Sequence, residues 1–373
     1  MTKTSVPITP SVLKWAIAES GYAQEQIANA AGVTLETLLR WLDGVEQPGL
    51  TQMRRVAGAL HRQMATFLLP APPSEERTAV SFRHPLGARS SRPLSGTERR
   101  YVRRARRLQD AQAWLLAELD WPEVVLDPVP ASSSPEQAAA AFRARLEVSV
   151  EAQRKTRSSG AAFDRWRAAL ESQGISVLQF SMGEETCRGF SLWHERAPLI
   201  AVNTAWPDEA RIFTLFHEVG HLITRTDSAC ARAALTPQAG DPTERWCEAF
   251  AAAALIPADA VGSIGPVTDI KTLSALALGM RVSLRAMALR LIDLRQASWQ
   301  LYEDIPPVSD RKPEGGGGGG RDRAEIRVDE FGPRSARLFI DAVRRDVISE
   351  SQALDYLDIP SRAFEQMAGA LVG

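Results

Sequence analysis

The run "RIFTLFHEVGHLIT", Arg211 to Thr224, carries two of the chain's five histidines four positions apart, with a glutamate directly after the first. Phe213, Leu215, Phe216, Val219, Leu222 and Ile223 make the run apolar on nearly every side. That pattern predicts a helix buried all round. Two imidazoles and a carboxylate cannot be buried cheaply without partners, so the fold must bring something polar or charged to this helix. Residues four apart project from nearly the same side of a helix. His217 and His221 can therefore reach one ion, and Glu218 can face a water beside it. A metal ion would satisfy all three groups at once.

A catalytic zinc site needs a third protein ligand and an open position for water. The pattern HExxHxxGxxH would supply a third histidine, but the corresponding positions are Thr224 and Asp227. The third ligand must then come from a second helix. "DPTERWCEAFAAAALIP" provides one, starting at Pro242 and Thr243, running to about Ile256 and stopping at Pro257. Glu244 and Glu248 lie four apart on one face, while Cys247, Ala251, Ala254 and Leu255 form an apolar side. Its small residues allow a close approach to the histidine helix. Either glutamate can complete the site, or both can face solvent.

The rest of the chain reads as further helices around a small sheet. Residues 1–72 form short amphipathic helices. "TPSVLKWAIAESG" has an N-cap threonine, an early proline and a closing glycine; Gly32 separates two further helices, and Thr34 caps the second. Helix, glycine turn, helix is the helix-turn-helix outline, though a plain bundle has the same form. On the second helix Thr34, Thr37 and Arg40 are the candidate DNA-contacting residues, beside the acidic Glu36 and Asp43. Residues 73–97, rich in Pro, Ser, Gly and Arg, read as a linker. "TERRYVRRARRLQD" follows, with six arginines between Glu98 and Asp110. It is either a phosphate-binding stripe or, the better reading, a helix face whose long side chains cover apolar surface. Two helical stretches between Ser134 and Gly174 lead to the strand-like runs "ISVLQFS", "CRGFSLWH" and "APLIAVN". Residues 98–300 are thus expected to form one α+β domain with trailing helices. Residues 301–330, with six consecutive glycines, read as a flexible linker. Residues 331–373 return to amphipathic helix.

Composition narrows the function classes. The net charge of -1 excludes a polycation that coats nucleic acid. Three cysteines, Cys187, Cys230 and Cys247, form neither a CxxC pair nor an even disulfide framework. A reducing cytoplasm fits this usage. The start of the chain lacks the apolar segment of a signal peptide. The longest apolar run, from Ala249, is too short to span a membrane.

Two resemblances rest on these motifs. "EQIANAAGVTLETLLRWLDGVEQPGL" resembles the XRE-type repressor domain, through Ile27-Ala28, Gly32, Trp41, Gly44 and Pro48. "RGFS", "LIAVN", "FTLFHEVGHL" and "ERWCEAFAAAALIP" resemble the ImmA/IrrE family of bacterial metallopeptidases, most strongly over residues 188–257. The second resemblance implies a zincin-like, gluzincin-type fold with Glu244 as third ligand beside His217 and His221, and with Glu218 as general base. It implies Zn2+, or alternatively Mn2+, as the cofactor. The family's usual asparagine falls on Glu248, which either replaces an outer amide or competes with Glu244 for the ion. The implied activity is regulatory endoproteolysis of a protein substrate, a repressor of the helix-turn-helix class, with DNA a further partner of the N-terminal domain. The competing reading is a non-catalytic DNA-binding regulator or antitoxin whose metal is structural.

Overall fold

The computed structural model describes residues 5–73, 95–225, 228–230, 242–262, 264–306 and 323–372. The chain divides into two compact units: among these residues, 5–73 and 95–104 belong to the first, and those from 105 onward to the second.

The first unit is helical. Helix α1, Pro10–Ser20, starts on its proline and ends at Gly21 in the left-handed conformation. Helix α2, Gln24–Ala31, closes at Gly32, whose φ of 72° turns the chain into α3, Leu35–Leu42. Thr34 caps α3 by accepting a hydrogen bond from the Thr37 amide. Helix α4, Leu50–Ala59, completes the set with a short 3-10 turn at Met64–Leu68. Leu13, Ile27, Leu38, Trp41, Met53, Val56 and Phe67 form their common core.

Helix α5, Gly96–Glu118, begins in the first unit and continues into the second. Part of its arginine run is engaged within its own chain. Arg103 donates to the Glu19 carbonyl at 3.0 Å, and Arg100 meets His61 at 3.2 Å. Further along, Arg107 pairs with Asp355 at 2.6 Å and lies over the Tyr356 ring.

The second unit is α+β. Helices α6, Pro135–Arg145, α7, Val150–Arg154, and α8, Ser159–Ser172, precede a sheet of β1, Ser176–Phe180, β2, Gly189–Leu192, β3, Leu199–Asn203, and β4, Ser228–Cys230. The strand order is β1-β3-β2-β4, with β1 and β3 parallel and β2 antiparallel to both of its neighbours. Helix α9, Asp208–Ile223, lies on one face of this sheet: Val177, Ile200 and Val202 share a core with Leu215, Phe216, Val219 and Leu222. Trp166 on α8 meets Phe216 edge-on at 4.8 Å.

At the end of β3 the buried Asn203 side chain fastens the loop that leads into β2. It donates to the Gly183 and Cys187 carbonyls and to the Thr186 hydroxyl, and it accepts from the Met182 and Ala205 amides, all within 3.2 Å. A buried amide satisfied this fully holds a single loop conformation.

Helix α10, Pro242–Leu255, packs against α9, and α11, Ala258–Val261, α12, Ile270–Met280, α13, Leu284–Asp293, and α14, Trp299–Glu303, follow it. The glycine run lies outside the described residues. Of the residues that read as linker, 301–303 lie in α14, and 323–330 are helical too. The latter belong to α15, Arg323–Phe331, which is followed by α16, Pro333–Arg344, α17, Glu350–Leu357, and α18, Ser361–Val372. The reason is a distant partner that local composition does not reveal. Arg167 on α8 donates to the Asp329 carbonyl at 2.7 Å, Gln179 on β1 donates to the same oxygen at 3.0 Å, and Phe331 is fully buried. Arg167 also pairs with Glu171 at 3.2 Å, both side chains under 10% exposed, and Glu171 accepts the Arg334 amide at the start of α16. Among the described residues, no helix is long and apolar enough to cross a membrane.

Removing one member of a buried ion pair strands the other. Glu171→Ala is therefore expected to destabilise the second unit by about 3–5 kcal/mol, read from urea denaturation. Glu171→Gln, which keeps an acceptor for the Arg334 amide, should lose distinctly less.

Candidate metal centre

Helix α9 starts after Pro207, with Asp208 and Glu209 in its first turn, where carboxylates favour the helix N-terminus. Its second half carries the two histidines into the interior. His217 and His221 are 5% and 2% exposed, and Glu218 is fully buried. Their Nε2 atoms stand 3.1 Å apart.

Glu244, in the first turn of α10, completes the group. Its Oε2 lies 3.2 Å from His217 Nε2 and its Oε1 lies 3.3 Å from His221 Nε2. Among the described residues these three side chains form a cluster able to hold a metal ion, and Glu248 is not part of it. Donors about 2.0–2.1 Å from a tetrahedral zinc stand roughly 3.3–3.4 Å from one another. The spacings seen here are within a few tenths of an ångström of that edge length, so the donor set fits a divalent cation of zinc's size. The Glu244 side chain remains 45% exposed, so the group is reached from solvent on the α10 side.

Charge in the site points the same way. Burial drives the His217 pKa down, yet the Glu244 hydrogen bond and the charges of Glu218, Glu244 and Glu248 outweigh it, and the net direction is up. Burial drives Glu244 up, but its hydrogen bonds to both imidazoles hold its carboxyl well below the usual carboxylate range. Glu248 is raised, first by burial and then by Glu244, against the opposing effect of His217. The acidic groups around His217 favour positive charge at that imidazole, whether a proton or a metal carries it.

Close contact between α9 and α10 sets the geometry. A Cβ built on Gly220 would lie 2.9 Å from Cys247 Sγ and 3.1 Å from Cys247 Cα. Without a side chain at 220, Glu244 can come within reach of both imidazoles. The sequence holds a trace of this, a glycine inside an otherwise buried helix, which costs helix stability unless packing requires it. Its partner could not be read from the sequence. Arg211, another polar residue of the run, is engaged elsewhere, with Asp208, with Gln179 and over the Phe163 ring.

In the first unit, Thr34 and Thr37 are occupied with each other: the Thr37 amide donates to Thr34 Oγ1 at 3.2 Å, and the two hydroxyls are 3.0 Å apart. Arg40 pairs with Glu46 at 3.4 Å.

Residues 170–291 match the IrrE N-terminal-like domain, peptidase family M78. The match takes in β1 through most of α13, and so includes α9 and α10, over about a third of the chain. It supports an ImmA/IrrE-type peptidase domain in this region, and a family of metallopeptidases implies a divalent metal. No curated protein matches the chain.

Gly220→Ala is expected to push α10 away from α9. Overpacking of this kind costs about 1–3 kcal/mol, so Zn2+ affinity measured by calorimetric titration should fall roughly tenfold or more, with helix content retained. Adding Cys247→Ala should recover only part of the loss, because the backbone contact at 3.1 Å remains.

Proposed function

We propose that the chain is a metal-dependent regulatory endopeptidase acting on a protein substrate, a transcriptional repressor of the helix-turn-helix class. The observation that carries this reading is the His217–His221–Glu244 triangle, at 3.1–3.3 Å on each side, next to a carboxylate from the same turn of α9. His217, His221 and Glu244 would hold the ion, Zn2+ or alternatively Mn2+. When bound, the ion would supply Lewis acidity, which lowers the pKa of water and polarises a carbonyl group.

Glu218 takes the general acid–base role. Its carboxylate accepts a proton from the attacking water and returns it to the leaving amine as the peptide bond breaks. Its burial keeps bulk water from competing for that proton, and a rigid helix holds it beside the ligands. Glu248, one turn along α10 and outside the ligand group, raises the negative charge around the site. Through its charge it would strengthen cation binding, in place of the amide usual at this position.

The first unit serves recognition. Its two helices joined at Gly32 follow the helix-turn-helix outline, and DNA or a partner protein would meet α3 through Thr34, Thr37 and Arg40. The ion pair from Arg40 to Glu46 and that from Lys14 to Asp43 at 3.3 Å reduce the positive field of this face. This favours a protein partner over the phosphate backbone. The cell compartment that suits such a protein is the cytoplasm.

Comparing Glu218→Gln with wild type tests the enzyme reading: metal content should be unchanged, and cleavage of candidate repressors should fall by at least about 100-fold. Equal metal in both proteins, with no cleavage by either and transcription still regulated, would favour a non-catalytic regulator with a structural metal. Glu244→Ala should lose the ion in metal analysis, whereas Glu248→Gln should keep it.

A further inference from the structure

Strand β2 presents Gly189 and Ser191 to one face of the sheet and Phe190 and Leu192 to the other, by the two-residue period of a strand. The face of Gly189 and Ser191 is the one covered by α9. A Cβ on Gly189 would lie 2.5 Å from Thr214 Cγ2, and Ser191 pairs in register with Ile200, which shares a core with Phe216, Val219 and Leu222. Ser191 is fully buried, and among the described residues its hydroxyl has no hydrogen-bond partner. A buried hydroxyl left in that state costs about 1–3 kcal/mol, so its place in the fold needs a reason.

Two contacts fix how β2 and α9 run past each other. Gly189, at the start of the strand, abuts Thr214. Trp193, just beyond its end, carries the Arg225 guanidinium over its ring, just beyond the end of α9. Strand and helix therefore run in the same direction. From Gly189 to Ser191 the strand advances about 6.6 Å. From Thr214 the helix advances about 6 Å in four residues, which reaches Glu218 on the same side as Thr214. Ser191 is the strand residue at the level of Glu218, on the surface that faces it.

The geometry points to Ser191 as a positioning residue for Glu218, its hydroxyl donating a hydrogen bond to the Glu218 carboxylate after rotation about χ1 or through one bridging water. A carboxylate offers about four acceptor sites and has room for this donor beside its other interactions. The bond would fix which oxygen of Glu218 meets the water it deprotonates. Ser191 itself touches neither substrate nor ion. The inference rests on the reading of Glu218 as the general base.

Its test uses the full chain with Ser191→Ala and Ser191→Thr. The infrared carboxylate band of Glu218, assigned by difference against Glu218→Gln, should move in Ser191→Ala and stay in place in Ser191→Thr. Cation content should be the same in all three proteins. With unfolded casein as probe substrate, kcat should fall roughly tenfold in Ser191→Ala with KM unchanged, and Ser191→Thr should restore it. An unmoved band in Ser191→Ala, or a kcat equal to wild type, overturns the proposal. If wild type cuts neither casein nor any repressor, the peptidase reading fails, and the band, which needs no turnover, still decides whether Ser191 holds Glu218.

Discussion

Helices α9 and α10 cross where a single added methyl group at Gly220 would press on the Cys247 backbone and sulfur. The rest of the site depends on that approach. Glu244 sits three residues before Cys247, close to one turn of helix, so the distance between the helix axes at the crossing decides whether its carboxylate reaches both imidazoles. The short, stiff side chains around the crossing serve the same end: Ala251, Ala254 and Cys247 are all buried and small. Interiors packed this tightly move little when strained, so the ligand spacing is inherited from the core rather than set by the ligands.

That core is held in turn from both sides of the sheet. The α9 face is fixed by aliphatic packing and by the Trp166–Phe216 contact. The register of β2, which brings Gly189 under Thr214, depends on the loop organised by Asn203. On the far edge, Arg167 and Glu171 tie β1 and α8 to the start of α16. The C-terminal helices are in this sense part of the second unit, although the family match ends at residue 291. Loss of these ties would act on the site through the sheet and through α8, as a change in how firmly α9 is backed.

Much of this could be read from the sequence wherever the information is local. The cap at Thr34, the stop at Gly32, the helix at residues 242–255 and the spacing of His217, Glu218 and His221 follow from residues within a few positions of one another. Three strands could be read from β-branched and aromatic runs; the fourth, Ser228–Cys230, is three residues long and has no such signature. Features that depend on distant partners stayed hidden. Asn203 looked like the last letter of a strand motif, and nothing nearby in sequence announces the five hydrogen bonds it makes. The helix at 323–331 followed a run of glycines and charged residues, and it docks on partners 150 or more positions earlier, Arg167 and Gln179 among them. The arginines of α5 were legible as a charge run, but which of them meet carbonyls, rings or carboxylates is a tertiary fact.

One helix therefore meets three different neighbours, and its periodicity keeps them apart. At about 100° per residue, His217, Gly220 and His221 face α10. Thr214 and Glu218 face β2. Ile212, Leu215, Phe216, Val219 and Leu222 face the aliphatic core. The first group must be small or metal-binding, the second must leave room for a strand backbone, and the third must be large and apolar. A shift of one residue in the helix register would place an imidazole in the aliphatic core and a phenylalanine or leucine at a ligand position. Each group thus enforces the register that the others need. This is why the buried second half of α9, residues 214–223, can hold three ionisable groups in one place.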